Sequence, residues 1–156
     1  MRITIIAASK RQPAWVREGF TDYAKRLRGS CTIELAEVPL GPRSASAPLE
    51  RALSAEGERM LARLPKGARV IALDETGAPW STPELAGRLR AWLEAGAPVV
   101  LLIGGPDGLA PACLARADER WSLSRLTLPH GLARIVAAES LYRAWAVLER
   151  HPYHRA

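Results

Sequence analysis

The chain has 156 residues, of which 48% are hydrophobic and 24% charged; that fits one ordinary globular domain and argues against disorder. Its 22 Lys and Arg against 16 Asp and Glu leave a net charge of +6, a balance that points to a polyanionic partner. Two cysteines 82 positions apart, Cys31 and Cys113, argue against a disulfide framework or a zinc site and for a reducing cytosol, and the apolar runs are too short for a secretory signal or a membrane span.

Residues 2–8, short and rich in isoleucine, read as a buried strand. Pro13 then opens a helix to about Leu27, with Trp15, Val16, Phe20, Tyr23 and Leu27 near helical spacing. Alternation predicts a second strand over 32–38. Residues 39–48, with Gly41, Pro42 and three small residues, form the one clear loop. A helix over 49–63 and a strand over 69–74 follow. Ser81, Pro83 and Glu84 make a capping box that starts a helix running to about Ala95. The most apolar strand, 98–103, breaks into Gly104-Gly-Pro-Asp-Gly108. A short helix over 112–119, a fifth strand over 121–128 and a last helix over 132–150 complete the order, before the tail 151–156. Strands alternating with helices, two of them continuously apolar, predict an α/β fold with a mainly parallel sheet.

Charge is uneven along this order. Residues 1–30 carry a local +5 and residues 120–156 a local +4, whereas residues 31–119 carry −3. Ends that met in space would form one basic surface suited to a phosphate backbone; ends that did not would be a solvated surface in an arginine-rich chain.

The glycine turn after strand 98–103 falls where an open α/β sheet places its ligand crevice. It matches neither a dinucleotide fingerprint nor a P-loop, so it reads as a tight turn or as a cradle for some other ligand. In the last helix Arg134 lies on the apolar side with Ala138, Leu141 and Trp145, and its first-turn position opposes the helix dipole. An arginine there calls for an acceptor; snorkelling from the helix end is the alternative, and a cleft-facing functional arginine is the reading we favour. Glu139 and Arg143 form an i,i+4 pair in the favourable order. The same helix is apolar around most of its circumference, more than a surface helix needs, which implies cover by a second subunit. The tail places His151, Tyr153, His154 and Arg155 within five residues. With His130 the two tail histidines make poor zinc geometry, and the tail reads better as a set that stacks on a base and meets phosphate.

These segments together resemble a known family. Leu101-Leu-Ile-Gly-Gly-Pro-Asp-Gly108, Trp121-Ser-Leu-Ser-Arg-Leu-Thr-Leu-Pro-His130, Ala138-Glu-Ser-Leu-Tyr-Arg-Ala-Trp145 and the final His-Pro-Tyr-His-Arg look like the ribosomal large subunit methyltransferase H family. The resemblance implies a SPOUT-type α/β domain spanning the chain, with a C-terminal trefoil knot, working as a homodimer. It implies methyl transfer from S-adenosylmethionine to N3 of a pseudouridine in helix 69 of 23S ribosomal RNA, on the assembled ribosome in the cytoplasm, without a metal. Carried over by position, the cofactor residues are Leu73, Gly105, Ser124, Arg125, Leu126, Thr127, Leu128 and Pro129. Arg134, Tyr153, His154 and Arg155 are the candidate catalytic residues, with His154 as base. A non-catalytic, ribosome-associated RNA-binding module is the competing expectation, and it would lack affinity for the cofactor. A Ser/His/Asp hydrolase has no nucleophile elbow to support it.

Overall fold

The computed structural model describes residues 1–154. In chain order the elements are β1 (Arg2–Ala8), α1 (Ala14–Ala24), β2 (Thr32–Val38), α2 (Leu49–Leu61), β3 (Arg69–Ala78), α3 (Thr82–Ala95), β4 (Val99–Ile103), α4 (Pro111–Arg116), β5 (Glu119–Trp121) and α5 (His130–Leu148). The strands form one sheet in the order β2-β1-β4-β3-β5, parallel at every pairing.

Both faces of this sheet are covered, which explains its continuous apolar strands. Side chains alternate between the faces. Ile3, Ile5, Val99, Leu101 and Ile71 pack under α1, α3 and α5, while Ile6, Val100, Leu102 and Val70 pack under α2 and α4. Burial on both sides removes the polar positions that would otherwise mark a strand's solvent face. α3 starts as its sequence predicts: Ser81 N–H donates to Glu84 Oε2 at 2.7 Å and Glu84 N–H to Ser81 Oγ at 3.2 Å. Gly96, at φ 73°, closes its other end in the left-handed conformation.

The expected fifth strand differs. Only Glu119–Trp121 pairs with β3, and residues 122–129 form an irregular segment. The alternation there belongs to side chains bonding local backbone, which competes with a ladder. Ser122 Oγ donates to the Ser124 carbonyl at 3.0 Å, and Ser124 Oγ accepts from Leu126 N–H at 2.9 Å. Leu126, 75% exposed, lies on no buried strand face.

Strand order positions the site. β1 and β4 are central neighbours, yet the chain leaves β1 for α1 on one face and β4 for α4 on the other. That divergence is a topological switch point, which opens a crevice at the carboxyl ends of the strands.

Candidate active site

A cleft of about 1020 Å³ occupies the switch point. Its floor is the ends of β1, β3, β4 and β5, and its walls are the glycine turn 104–108, the segment 122–129 and Leu40 from the loop after β2. Of the expected cofactor residues, Leu73, Gly105, Ser124 and 126–129 line the cleft, whereas Arg125 is exposed outside its wall. The glycine turn is closed on itself. A Cβ on Gly104 would lie 2.3 Å from the Gly108 carbonyl carbon, and Gly108 N–H donates to the Gly105 carbonyl at 3.1 Å. At Gly105 a Cβ would meet Leu40 Cδ2 at 2.8 Å and Glu56 Oε1 at 3.3 Å. The bare backbone therefore lets Leu40 pack closely at the cleft's edge and keeps main chain on the cleft wall, where a ligand can approach it.

Behind this turn lies Arg134, at 0% exposure. It does not face the cleft. Nη1 donates to Glu37 Oε1 at 3.3 Å, and Nη2 lies 3.0 Å from Ser9 Oγ and 2.9 Å from His130 Nε2. His130 in turn lies on the cleft wall, and its Nδ1 is 2.8 Å from the Gly104 carbonyl. Arginine can only donate, so His130 Nε2 must accept and Nδ1–H must donate to Gly104. One neutral tautomer satisfies both contacts. The chain of bonds joins the ends of β1 and β2, the start of α5 and the glycine turn. The acceptor that a buried Arg134 demands is a carboxylate of the protein, and the spacing of 97 residues to Glu37 gave no local signal for it.

Burial lowers the His130 pKa below its ordinary value, and the Arg134 cation adds to this, against the raising effect of the Gly104 carbonyl. A folded pKa below the unfolded value of about 6.5 means that the unfolded chain binds more protons between the two. Stability is then complete above about pH 6.5 and falls as pH drops through that window. NMR titration should place His130 below the ordinary histidine value, and denaturant melts should lose part of their pH dependence between pH 7 and 5 in His130→Gln.

The tail is held elsewhere. Tyr153 packs on Tyr142 with ring centroids 4.5 Å apart, and its hydroxyl donates to Glu139 Oε1 at 3.0 Å. Arg143 grips the same oxygen through Nε and Nη2 at 2.9 and 2.6 Å, so the expected helix pair exists and also anchors the tail. Burial and the Glu139 carboxylate push Tyr153 up to about 12, keeping it a neutral donor. His154 is half-buried, with Nδ1 unpartnered, and Arg155 lies outside the described residues. The structure thus gathers the expected cofactor residues at one end of α5 and the described tail residues away from that end. Among the described residues no three His, Cys, Asp or Glu side chains group as a metal site, and no helix is long and apolar enough to cross a membrane.

A parallel sheet with helices on both faces and a glycine-edged cleft at its switch point defines an α/β ligand-binding domain. The family described as "Predicted SPOUT methyltransferase" matches residues 1–154. A protein from Alkalilimnicola ehrlichii named Ribosomal RNA large subunit methyltransferase H is 54% identical over 156 residues, covering 100% of both chains. Among solved structures, a probable methyltransferase from Bordetella pertussis Tohama I aligns with TM-score 0.56 at 19% identity, over 92% of this chain and 95% of that one. The A. aeolicus TrmH/SpoU tRNA modifying enzyme aligns with TM-score 0.51 at 12% identity, over 99% of this chain and 81% of that one; at such identities both likenesses are of fold. The chain belongs to the SPOUT methyltransferase family, and within it to the ribosomal large subunit methyltransferase H family.

Proposed function

We propose that this protein methylates large-subunit ribosomal RNA with S-adenosylmethionine as donor, at N3 of a pseudouridine in helix 69 of 23S RNA, on the assembled ribosome in the cytoplasm. The observation that carries the reading is the full-length 54% identity to a protein named for that class of reaction. The cleft fits the donor: it has a bare glycine edge, an apolar floor at Leu73 and Ile103, and carboxylates at Asp74 and Glu75 on the side where a cation would be favoured. Gly105, Leu73, Ser124 and residues 126–129 would hold it. When bound, S-adenosylmethionine supplies an electrophilic methyl group with a neutral thioether as leaving group.

The chain's own work is then positioning, together with removal of the imide proton from N3. Arg134 holds the glycine turn through His130, acting on the site from behind. Tyr153 stacks on the base, His154 takes the proton and Arg155 offsets the developing negative charge. A His154→Ala protein should lose most of its kcat on ribosomes; retention of the wild-type kcat and pH profile would remove His154 as base.

Two features support the wider arrangement. The basic ends of the chain meet, because α1 packs on α5 and Lys10 shares the cleft wall with His130. Trp15, 58% exposed, and Leu132, 38% exposed, are chain neighbours of Val16 and Gly131, where α1 and α5 meet, and exposed apolar side chains of this size suit a second subunit. A C-terminal trefoil knot is compatible with the strand order. Methyl incorporation into intact ribosomes and into naked RNA, with the product mapped, tests the reading. We expect incorporation on ribosomes, at N3, with affinity falling steeply between low and moderate salt as counterions are released. No incorporation on either substrate overturns the function, and a flat salt response removes the basic ends from the RNA interface.

A further inference from the structure

Glu56 of α2 is only 2% exposed, a costly place for a carboxylate unless it is paired. Its Oε2 accepts from Gly41 N–H at 2.9 Å and from Arg43 Nη1 at 2.6 Å, while Oε1 is buried without a hydrogen-bond partner. Arg43 reaches onward, donating from Nε to Asp107 Oδ2 of the glycine turn at 3.0 Å. One guanidinium therefore bridges α2 and the turn, and it is carried by the loop 39–48. The loop is also pinned at its base, where Arg59 Nη1 donates to the carbonyls of Pro39 and Leu40 at 3.0 and 3.2 Å. Its backbone lies directly on α2: a Cβ on Gly41 would sit 2.2 Å from the Ala52 carbonyl oxygen. Leu40, held between these anchors, is part of the cleft wall and the nearest group to where a Gly105 side chain would be.

We propose that Arg43 and Glu56 are positioning residues for the methyl donor: their clamp holds residues 39–48 against the glycine turn, so that Leu40 completes the donor pocket. This rests on the reading of the cleft as the S-adenosylmethionine site. The side-chain chemistry supports the assignment. A carboxylate with one unsatisfied oxygen is a poor way to gain stability, but it aims a guanidinium in a fixed direction. The planar fork of arginine presents Nε and Nη1 to two acceptors at once, which a lysine point charge does not. Neither residue touches the cleft in its own right, so both act through Leu40 and the turn.

The test uses the full-length protein, with calorimetric titration of S-adenosylmethionine and hydrogen exchange read over residues 39–48. Arg43→Ala should weaken donor binding by about tenfold or more, and Arg43→Lys by nearly as much, because charge alone does not rebuild the bridge. In turnover the KM for the donor should rise while kcat at saturating donor changes little. Amides of 39–48 should exchange faster in both variants. Asp107→Ala cuts the tether at the half-exposed turn and leaves the buried pair intact, so folding is not at issue. It should weaken donor binding in the same direction, and the Arg43→Ala/Asp107→Ala double variant should be no worse than Arg43→Ala alone. Wild-type affinity in Arg43→Ala, or full rescue by lysine, overturns the clamp while leaving the donor site in place. If the unmodified protein fails to bind S-adenosylmethionine, the donor reading fails instead. Exchange then decides the clamp, and unchanged protection of 39–48 in Arg43→Ala overturns it.

Discussion

Replacing Gly104 with alanine is expected to reduce S-adenosylmethionine binding by at least about 100-fold, close to 3 kcal/mol, while the domain stays folded. The added Cβ would stand 2.3 Å from the Gly108 carbonyl carbon, 2.5 Å from its oxygen and 2.6 Å from Leu109 N. All three are backbone atoms, so no rotamer change relieves the clash and the turn must open. Opening it breaks the Gly105–Gly108 contact and draws the Gly104 carbonyl off His130. The sheet core at Val100 and Leu102 lies under α2 and α4, away from the turn's outer edge, so circular dichroism should stay native. Gly105→Trp should abolish binding by displacing Leu40 from the cleft wall, because its Cβ would meet Leu40 Cδ2 at 2.8 Å, Glu56 Oε1 at 3.3 Å and the Ala8 carbonyl at 3.4 Å. Gly29→Ala is the control. It is strained by a φ of 68° but meets nothing within 4 Å, so it should cost stability and leave affinity alone. Unchanged calorimetric affinity in both turn variants would remove the donor from this place.

The parts of this molecule that were legible in its sequence are those with local causes. β4 announces itself because burial on both faces makes it uniformly apolar, β1 because it is short and rich in isoleucine, and α3 because its capping box lies within four residues. The cleft was foreseeable from glycines directly after a buried strand. Residues 122–129 misled because serine side chains can imitate strand alternation while bonding their own loop. Arg134 was legible as an anomaly, but its solution was not: Ser9 and Glu37 reach it from 125 and 97 residues away. Glu56 falls on the buried stripe of α2, four residues from both Ala52 and Met60, but the partners that satisfy it there, Gly41 and Arg43, come from a separate loop and carry no such spacing. Contacts made by tertiary approach leave no period for a sequence to carry.

A mixture of two inactive variants is expected to recover activity. The tail variant is Arg155→Ala and the pocket variant is Gly105→Trp. α5 begins at the cleft with His130 and ends at Leu148, so at about 1.5 Å per residue the tail leaves the helix some 27 Å from the cleft. Tyr153 folds back only as far as Glu139, which still leaves about 13 Å of helix before His130. A two-fold partner that brings its own tail to the cleft would span that distance. In a heterodimer the Arg155→Ala subunit contributes an intact pocket and the Gly105→Trp subunit an intact tail, so one of the two sites is whole. Random reassortment makes half of the dimers mixed, and about a quarter of all sites should work. A tail acting on its own chain predicts no recovery at any ratio, because every subunit then carries one lesion in its only site. The measurement is methyl incorporation into ribosomes after the variants are mixed and subunit exchange is verified by mass. A monomer in light scattering, or no recovery after exchange, would sink the composite site.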